Sequence, residues 1–387
     1  MADSSINRQM HPTINSQLGL QNGLPNGLSE SSNAGKILIA ASGTGGHLFP
    51  AIATAEHLSD YDIEWLGVPN RLETELVPAR YPLHLIRMGG VQGRLGIGSL
   101  KLLLQLVRST LHVRYLLKKN DFQGVFTTGG YIAAPAIVAA RSLGLPTILH
   151  ESNALPGKVT RWLSRGCSLV ALGFQEAAKH LPEAKTLCVG TPVRSQFFST
   201  LQSDLSNISI PSGVPVILVV GGSQGAVAVN QRVRAAAPAW FEAGAWVIHQ
   251  TGSNDPDVDS LSHPQYIHRP FYSDMAALLN RANLVIGRAG AGTLTELAMA
   301  QTPSILIPYP FAAEDHQAYN AAVFADVGAA IVEPQETLTV DRLQAQVLRL
   351  LQDPEQLDKM AYAAGKLAVK DSAQQLAEHI RQLMVKY

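Results

Sequence analysis

One unit recurs along the chain and constrains its fold: a short apolar run ends in glycines and is followed by a segment of helical periodicity. The first run covers residues 36–41, before a glycine-rich turn at 43–47 and a helical pattern from Phe49 to Leu58. Short apolar runs without polar alternation are typical of strands buried on both faces. Because strands alternate with helices, the sequence predicts an α/β fold with parallel sheets.

The pattern restarts in the second half of the chain. Similar units occur at residues 124–130 and 146–150, and after a polar stretch another occurs at 215–226. With 387 residues and about 150 residues per domain, two domains are expected. We predict two doubly wound domains, 35–193 and 194–370, facing each other across a cleft that contains the carboxyl ends of their strands. Residues 371–387 are expected to join the first domain, and residues 1–34, rich in Asn, Gln, Ser and Gly, form a predicted disordered tail.

The composition excludes several classes of protein. The 30 Lys and Arg residues balance the 30 Asp and Glu residues, so no nucleic-acid partner is expected. The two cysteines, Cys167 and Cys188, form no CxxC motif, so neither a disulfide framework nor a zinc site is expected, and we predict no metal and no cofactor. No uncharged apolar run reaches the roughly 18 residues of a membrane span, so membrane contact is predicted to be peripheral.

The glycine-rich turns indicate a ligand with phosphates. Backbone N–H groups and the positive end of a helix converge on an anion at such turns, although one turn alone can serve only tight packing. Turns at 43–46, 129–130 and 221–225 favour function. The dinucleotide fingerprint fails because Leu48 stands where a third glycine is needed, and no P-loop motif occurs. We therefore predict a nucleotide sugar as ligand.

Residues 287–296 combine glycines with a carboxylate. Glu296 falls one turn into a predicted helix, where it could accept hydrogen bonds from the paired hydroxyls of a ribose. The alternative is a carboxylate favoured by the helix dipole. Further along, Gln317 and Asn320 could contact sugar hydroxyls, whereas Asp315 could be an ordinary helix cap.

Residues 255–259 contain an Asp-x-Asp pattern, which some glycosyltransferases use to bind a metal ion. The surrounding residues, Gly252 to Pro256, are typical of a solvated surface loop. We therefore predict that Asp255 and Asp259 are not metal ligands.

Residues 81–120 contain no Asp or Glu but seven Lys and Arg residues. A helical pattern there combines a polar stripe, which includes Lys101 and Arg108, with many leucines. We predict that Arg94, Lys101 and Arg108 contact anionic lipid headgroups, with the glycine-rich segment 89–98 flexible enough to close on a ligand at the membrane. The alternative is that the leucines only fill the core.

Together these motifs resemble the MurG family of bacterial glycosyltransferases, family 28, over residues 36–387. The resemblance rests on segments in order along the chain: GTGGH at 43–47, TGGY at 128–131, HESNA at 150–154, GTPVR at 190–194, GGSQGA at 221–226, GRAGAGTLTE at 287–296 and DHQ at 315–317. Ser152 and Thr191 depart from the residues common in the family, Gln and Asn, and the tail is unusual for it.

The resemblance implies a GT-B fold, with the acceptor in the N-terminal half and UDP-N-acetylglucosamine in the C-terminal half. The implied donor contacts are Thr44, Gly45, Gly46, Asn153, Arg194, Ser223, Tyr272, Ala291, Gly292, Thr293, Leu294, Thr295, Glu296 and Gln317. The implied reaction is inverting transfer of N-acetylglucosamine to the 4-hydroxyl of undecaprenyl-pyrophosphoryl-N-acetylmuramoyl-pentapeptide, a step of peptidoglycan biosynthesis. It also implies a peripheral location on the cytoplasmic face of the inner membrane, roles in cell shape and division, and contact with cell-wall or division proteins.

His47 is the candidate general base for this reaction. A structural hydrogen bond or contact with the acceptor pyrophosphate are alternatives for His47. Ser223, Arg194 and the helix after Gly225 could stabilise the departing diphosphate, although Arg194 could instead form a salt bridge near the domain linker. Alternative functions are a diacylglycerol galactosyltransferase, a non-catalytic scaffold that binds nucleotide sugars, and a UDP-sugar epimerase.

Overall fold

The computed structural model describes residues 35–88, 97–198, 208–222 and 225–386, and in the helix over residues 97–119 the side chains are described from residue 103 onward. The predicted tail 1–34, the segment 89–96 with Arg94, the segment 199–207 and Ser223 lie outside these residues, and so does the side chain of Lys101. Within the described residues, no helix is long and apolar enough to cross a membrane.

The first domain is built on a parallel sheet in the order β3-β2-β1-β4-β5-β6-β7. Its strands are β1 (Lys36–Ala40), β2 (Asp62–Gly67), β3 (Leu83–Leu85), β4 (Gly124–Thr127), β5 (Thr147–Glu151), β6 (Leu169–Leu172) and β7 (Thr186–Cys188). The helices around it are α1 (Gly45–Glu56), α2 (Glu73–Leu76), α3 (Ile97–Lys119), α4 (Ala133–Ser142) and α5 (Lys158–Leu163).

The second domain repeats this arrangement with a parallel sheet in the order β10-β9-β8-β11-β12-β13. Its strands are β8 (Val216–Val220), β9 (Trp246–Gln250), β10 (Tyr266–Arg269), β11 (Leu284–Gly287), β12 (Ser304–Leu306) and β13 (Ala330–Val332). Its helices are α6 (Val227–Glu242), α7 (Met275–Arg281), α8 (Ala291–Ala300), α9 (His316–Asp326), α10 (Val340–Leu351) and α11 (Pro354–Gly365), and the chain ends with α12 (Ser372–Met384).

The central strands consist mainly of apolar residues because helices cover both faces of each sheet. In β1, Ile37 and Ile39 pack with α1 on one face, whereas Leu38 and Ala40 pack with α3 and α4 on the other. In each sheet the strand order reverses direction beside the first strand, β1 or β8. Ligands of doubly wound sheets bind at this point, beyond the carboxyl ends of the strands. The α/β fold with two parallel, doubly wound domains is confirmed.

The last helix, α12, packs against the first domain although it follows the second. Leu376, Ala377 and Ile380 are fully buried in the core that also contains Ile37 and Ile39. Arg381 adds a bidentate contact with Asp60, at 2.7 and 2.8 Å. The chain therefore crosses between the domains twice, once in each direction.

Two local expectations from the sequence were wrong. Helix α1 begins at Gly45 and not at Phe49, so His47 lies in its first turn. Asp255 is not solvated: its side chain is buried and accepts hydrogen bonds from Arg234 and from Asn230, both at 2.7 Å. Arg234 and Asn230 thus donate the hydrogen bonds to Asp255 that water was expected to donate. Asp257 and Asp259 are exposed, as expected.

Candidate active site

A cavity of about 260 Å³ lies between the two domains. Its walls come from the first turn of α1, the segment that follows β7, the ends of β8 and β9, and the start of α8. The lining residues are Thr44, Gly45, Gly46, Phe49, Pro50, Thr191, Pro192, Val193, Arg194, Val220, Gly222, Gln250, Phe271, Tyr272, Met275, Gly292, Thr293, Thr295 and Glu296.

The N-termini of two helices converge on this cavity, one from each domain. A Cβ atom at Gly292, in the first turn of α8, would lie 4.0 Å from the Cα of Gly46, in the first turn of α1. The first N–H groups of a helix have no partner within the helix, and each helix start carries roughly half a positive charge. Thr44, the N-cap of α1, forms no side-chain capping bond, and Gly290, the N-cap of α8, has no side chain that could form one. The cavity is therefore suited to an anion such as a diphosphate.

Side chains from neighbouring strands fix the turn before α1. Trp65 of β2 donates through Nε1 to the carbonyl of Ala41 at 2.9 Å, and Thr127 of β4 donates to the carbonyl of Ala40 at 2.6 Å. Both bonds hold the carboxyl end of β1, so the start of α1 has a defined position relative to the sheet.

His47 is oriented by a reciprocal pair of bonds with Thr128. Its Nδ1–H donates to the Thr128 carbonyl at 2.7 Å, and the Thr128 hydroxyl donates to the His47 carbonyl at 2.9 Å. Because a carbonyl can only accept, Nδ1 carries the proton in the neutral ring and Nε2 is left with a lone pair. Nε2 faces Gly130, where a Cβ would lie 3.6 Å away. This geometry leaves Nε2 able to accept a proton.

Arg194 and Glu296 form an ion pair across the cavity, 2.9 Å between Nη2 and Oε1. Burial raises the pKa of Glu296, and the neighbouring Arg194 opposes that rise. The guanidinium also stacks on the ring of Phe49, 4.6 Å from its centroid, while its Nε is buried without a hydrogen-bond partner. Arg194 therefore has bonding capacity left for a ligand.

The segment that carries Arg194 is held by a histidine of the first domain. His150 is fully buried and its Nε2 lies 2.9 Å from the carbonyl of Gly190. Burial lowers the pKa of His150, so the neutral ring donates this bond. The only local signal of this role is a polar residue at the end of an apolar run.

Asn153 and Asn320 form a second contact between the domains, and Gln317 lies three residues before Asn320 in α9. Asn320 is fully buried: it accepts from the Ala154 N–H at 2.8 Å and donates to Asn153 and to the Ala289 carbonyl, both at 3.1 Å. Gln317 accepts from the N–H groups of Ala289 and Tyr309 at 3.2 and 3.0 Å. Asn320 was expected to contact sugar hydroxyls, but its amide joins the two domains.

The structure gathers most of the predicted donor residues around one cavity. Among the exceptions, Ala291 and Leu294 have side chains that are buried in the core under α8. Asn153 and Gln317 are not among the lining residues, and Ser223 lies outside the described residues. Sequence reasoning missed Phe49, Gln250, Phe271 and Met275, which line the same cavity. Three of these four are apolar and resemble core residues in the sequence, so no local signal separates them from the core.

Two facing Rossmann-like domains, with a cleft suited to an anion between them, are the architecture of the GT-B class. Family comparison agrees with this class. The glycosyltransferase family 28 N-terminal domain matches residues 37–172, and the family 28 C-terminal domain matches residues 216–376. The chain belongs to glycosyltransferase family 28.

Proteins of known name are similar over nearly the whole chain. The UDP-N-acetylglucosamine--N-acetylmuramyl-(pentapeptide) pyrophosphoryl-undecaprenol N-acetylglucosamine transferases of Trichormus variabilis and of a Nostoc species are each 65% identical to it, over 90% of this chain and 98% of the relative. The crystal structure of Acinetobacter baumannii MurG superposes with a TM-score of 0.73 at 30% identity, covering 90% of this chain and 99% of that chain.

Proposed function

We propose that this enzyme transfers N-acetylglucosamine from UDP-N-acetylglucosamine, with inversion, to the 4-hydroxyl of N-acetylmuramoyl-(pentapeptide)-pyrophosphoryl-undecaprenol. The observation that carries the proposal is the convergence of the starts of α1 and α8 beside Arg194, which suits a diphosphate leaving group. The names of relatives that are 65% identical support the choice of sugar and acceptor.

In this proposal the nucleotide binds mainly to the second domain. Glu296 accepts the ribose hydroxyls, and the aromatic end of the cavity, with Phe271 and Tyr272, holds the base. The diphosphate lies at the start of α8, with Arg194 and the N–H groups of α1 beside it. As the bond to the anomeric carbon breaks, negative charge grows on the diphosphate, and these fixed donors stabilise it.

The acceptor is proposed to bind to the first domain, next to His47. Nε2 of His47 takes the proton of the 4-hydroxyl as the oxygen attacks the anomeric carbon from the face opposite the diphosphate. The bond from Nδ1 to the Thr128 carbonyl keeps the ring in the tautomer that this step needs and stabilises the imidazolium that forms.

A transfer assay tests the proposal. The full chain is incubated with radiolabelled UDP-N-acetylglucosamine and a soluble short-chain analogue of the acceptor, and in parallel with UDP-galactose and diacylglycerol. We expect labelled disaccharide lipid from the first pair alone. Transfer only in the second pair would favour the diacylglycerol galactosyltransferase instead, and binding of UDP without transfer in either pair would favour a non-catalytic scaffold.

Helix α3 carries the surface that we propose for membrane contact. Leu103, Leu104, Val107, Leu111 and Tyr115 are all exposed, with exposed fractions from 48% to 63%, and they recur at spacings of three and four residues along one stripe. Leu116 and Leu117 on the opposite face are buried in the core. The leucines of this helix therefore divide between the core and the surface.

Basic residues accompany the exposed stripe. Arg108 is exposed, and Lys118 and Lys119 are exposed at the end of the helix. An apolar stripe beside positive charges is suited to the surface of an anionic bilayer, where the leucines enter the headgroup region and the cations meet the lipid phosphates. We propose that this face holds the enzyme at the cytoplasmic surface of the membrane, near its lipid-linked acceptor, with Arg94 and Lys101 contributing further charge.

Vesicle flotation tests this surface. Burying a leucine contributes about 1.5–3 kcal/mol, so Leu111→Ser is expected to weaken binding to vesicles of anionic phospholipid by about tenfold or more. Arg108→Glu is expected to weaken it as well, but only at low salt. Tyr362→Ser, which changes an exposed aromatic residue of α11, is the control. Equal flotation of all three variants would contradict the proposed surface.

A further inference from the structure

A buried carboxylate lies behind the turn that leads into α1. Glu73, the first residue of α2, is fully buried and points at this turn. Its Oε1 accepts the Ser42 hydroxyl at 2.5 Å and the Val68 N–H at 2.7 Å, and its Oε2 accepts the Gly43 N–H at 3.2 Å. One side chain thus joins the end of β1 to the segment that follows β2.

The neighbouring backbone makes room for this side chain. A Cβ at Gly67 would lie 2.8 Å from Cγ of Glu73 and 3.3 Å from its Oε1, so any larger residue at position 67 would displace the carboxylate. Gly43 adopts φ +104°, a conformation that L side chains rarely take. The carboxylate of Glu73 thus lies in space between Gly67 and Gly43. Together these three residues determine the direction of the turn.

We infer that Glu73 is a positioning residue for the transfer reaction. By accepting the Gly43 N–H it turns that group away from the cavity, so that the N–H groups of the next residues, Thr44 to Gly46, are the ones directed at the ligand. The same turn fixes where α1 starts, and His47 lies in its first turn. The inference rests on the proposed function, because it assigns the turn to the leaving diphosphate and to the base.

Glu73→Gln is the main test. The amide oxygen can replace only one carboxylate oxygen, so its NH₂ group meets either the Gly43 N–H or the two donors at Oε1, and the turn must shift. Misplacement of catalytic groups by about 1 Å can cost up to about a hundredfold in rate. We expect kcat to fall by about tenfold to a hundredfold, while KM for UDP-N-acetylglucosamine changes less than about threefold because the second domain supplies most contacts to the nucleotide.

Matched variants separate positioning from folding. Glu75→Gln, on the exposed side of the same helix, should keep the wild-type kcat. Ser42→Ala should lower kcat, because it removes the hydroxyl that donates to Glu73. Ser42→Thr should have a kcat close to the wild-type value, because threonine keeps the hydroxyl. Gly67→Ala should act like Glu73→Gln although the carboxylate itself is unchanged. All variants are compared at a temperature where circular dichroism shows them folded.

Amide hydrogen exchange gives a readout that does not need turnover. We expect faster exchange at residues 43–47 of Glu73→Gln than of Glu75→Gln, with β8 of the second domain unchanged. Equal kcat and equal exchange in these two variants would overturn the inference. If the wild-type chain transferred no sugar, the proposed function would fail, and faster exchange at residues 43–47 would still support Glu73 as the residue that holds the turn.

Discussion

The orientation of His47 gives the most direct prediction for a single residue. Its Nδ1–H is bound to the Thr128 carbonyl, so Nε2 is the atom available to the acceptor. General base catalysis is typically worth about 10² to 10⁴ in rate, so we expect His47→Ala to lower kcat by that factor with little change in KM for the donor.

The control for His47 is His57→Ala, an exposed histidine just after the end of the same helix. Steady-state kinetics with the soluble acceptor analogue measure both variants. Turnover of His47→Ala within about threefold of the wild-type value would remove His47 as the base and leave a role in binding the acceptor pyrophosphate.

Single residues were predictable where the signal is local. Glycines at the ends of apolar runs mark the turns of the cleft, because few other residues allow that backbone. The partner of a charged side chain is different: Arg194 and Glu296 are 102 positions apart, so no local sequence signal pairs them. The prediction that Asp255 is solvated was wrong for the same reason: its partners are distant in the sequence. Burial works to raise its pKa, but hydrogen bonds from Arg234 and Asn230 lower it overall, and neither partner is adjacent in sequence.

Elements were predicted better than their ends. Each of the apolar runs identified in the sequence contains a strand, because burial on both faces favours apolar residues. The start of α1 was missed because the helical pattern identified in the sequence begins at Phe49, whereas Gly45 and Gly46 already have helical geometry. Hydrophobic periodicity reveals only helical positions with buried apolar side chains. Gly45 and Gly46 have no side chains, so this signal is absent at the start of α1.

The last helix provides a prediction at the scale of an element. Leu376 is fully buried in the core of the first domain, so Leu376→Ala should lower the free energy of unfolding by about 2–5 kcal/mol. Amide hydrogen exchange should show lower protection in β1 and α1 but not in β8, because α12 packs on the first domain. Gln382→Ala, exposed on the same helix, should stay within about 0.5 kcal/mol of the wild type. Loss of protection in both domains alike would contradict this assignment of α12.

The ion pair of this helix depends on pH. Hydrogen bonds from Arg381 lower the pKa of Asp60 below its ordinary value. The pair therefore stabilises the folded chain above the ordinary pKa of an aspartate, and this contribution is lost as the pH falls through the lowered value. Both side chains are more than a third exposed, so the effect on stability is expected to be at most about 1 kcal/mol.

At the scale of the whole molecule, two kinds of contact join the domains beside the cavity. One is the buried amide of Asn320, which bonds to Asn153, Ala154 and Ala289. The other is the ion pair of Arg161 with Glu314, whose side chains are 31% and 37% exposed. Exposed ion pairs contribute little because water and salt screen them, whereas an unpaired buried polar group costs about 1–3 kcal/mol. The buried amide should therefore set how the domains face each other.

This difference gives a paired test. Asn320→Ala leaves the Ala154 N–H and the Ala289 carbonyl without their partner, so we expect UDP to bind about tenfold to a hundredfold more weakly by titration calorimetry. Small-angle scattering should show a larger radius of gyration, because the domains separate at the cleft. Arg161→Ala removes the exposed ion pair that joins the same two domains, and it should weaken UDP binding by less than about fivefold. If Asn320→Ala bound UDP as well as Arg161→Ala and only the second domain became less stable, the amide would support α9 alone, and the orientation of the domains would depend on Arg194 and Glu296.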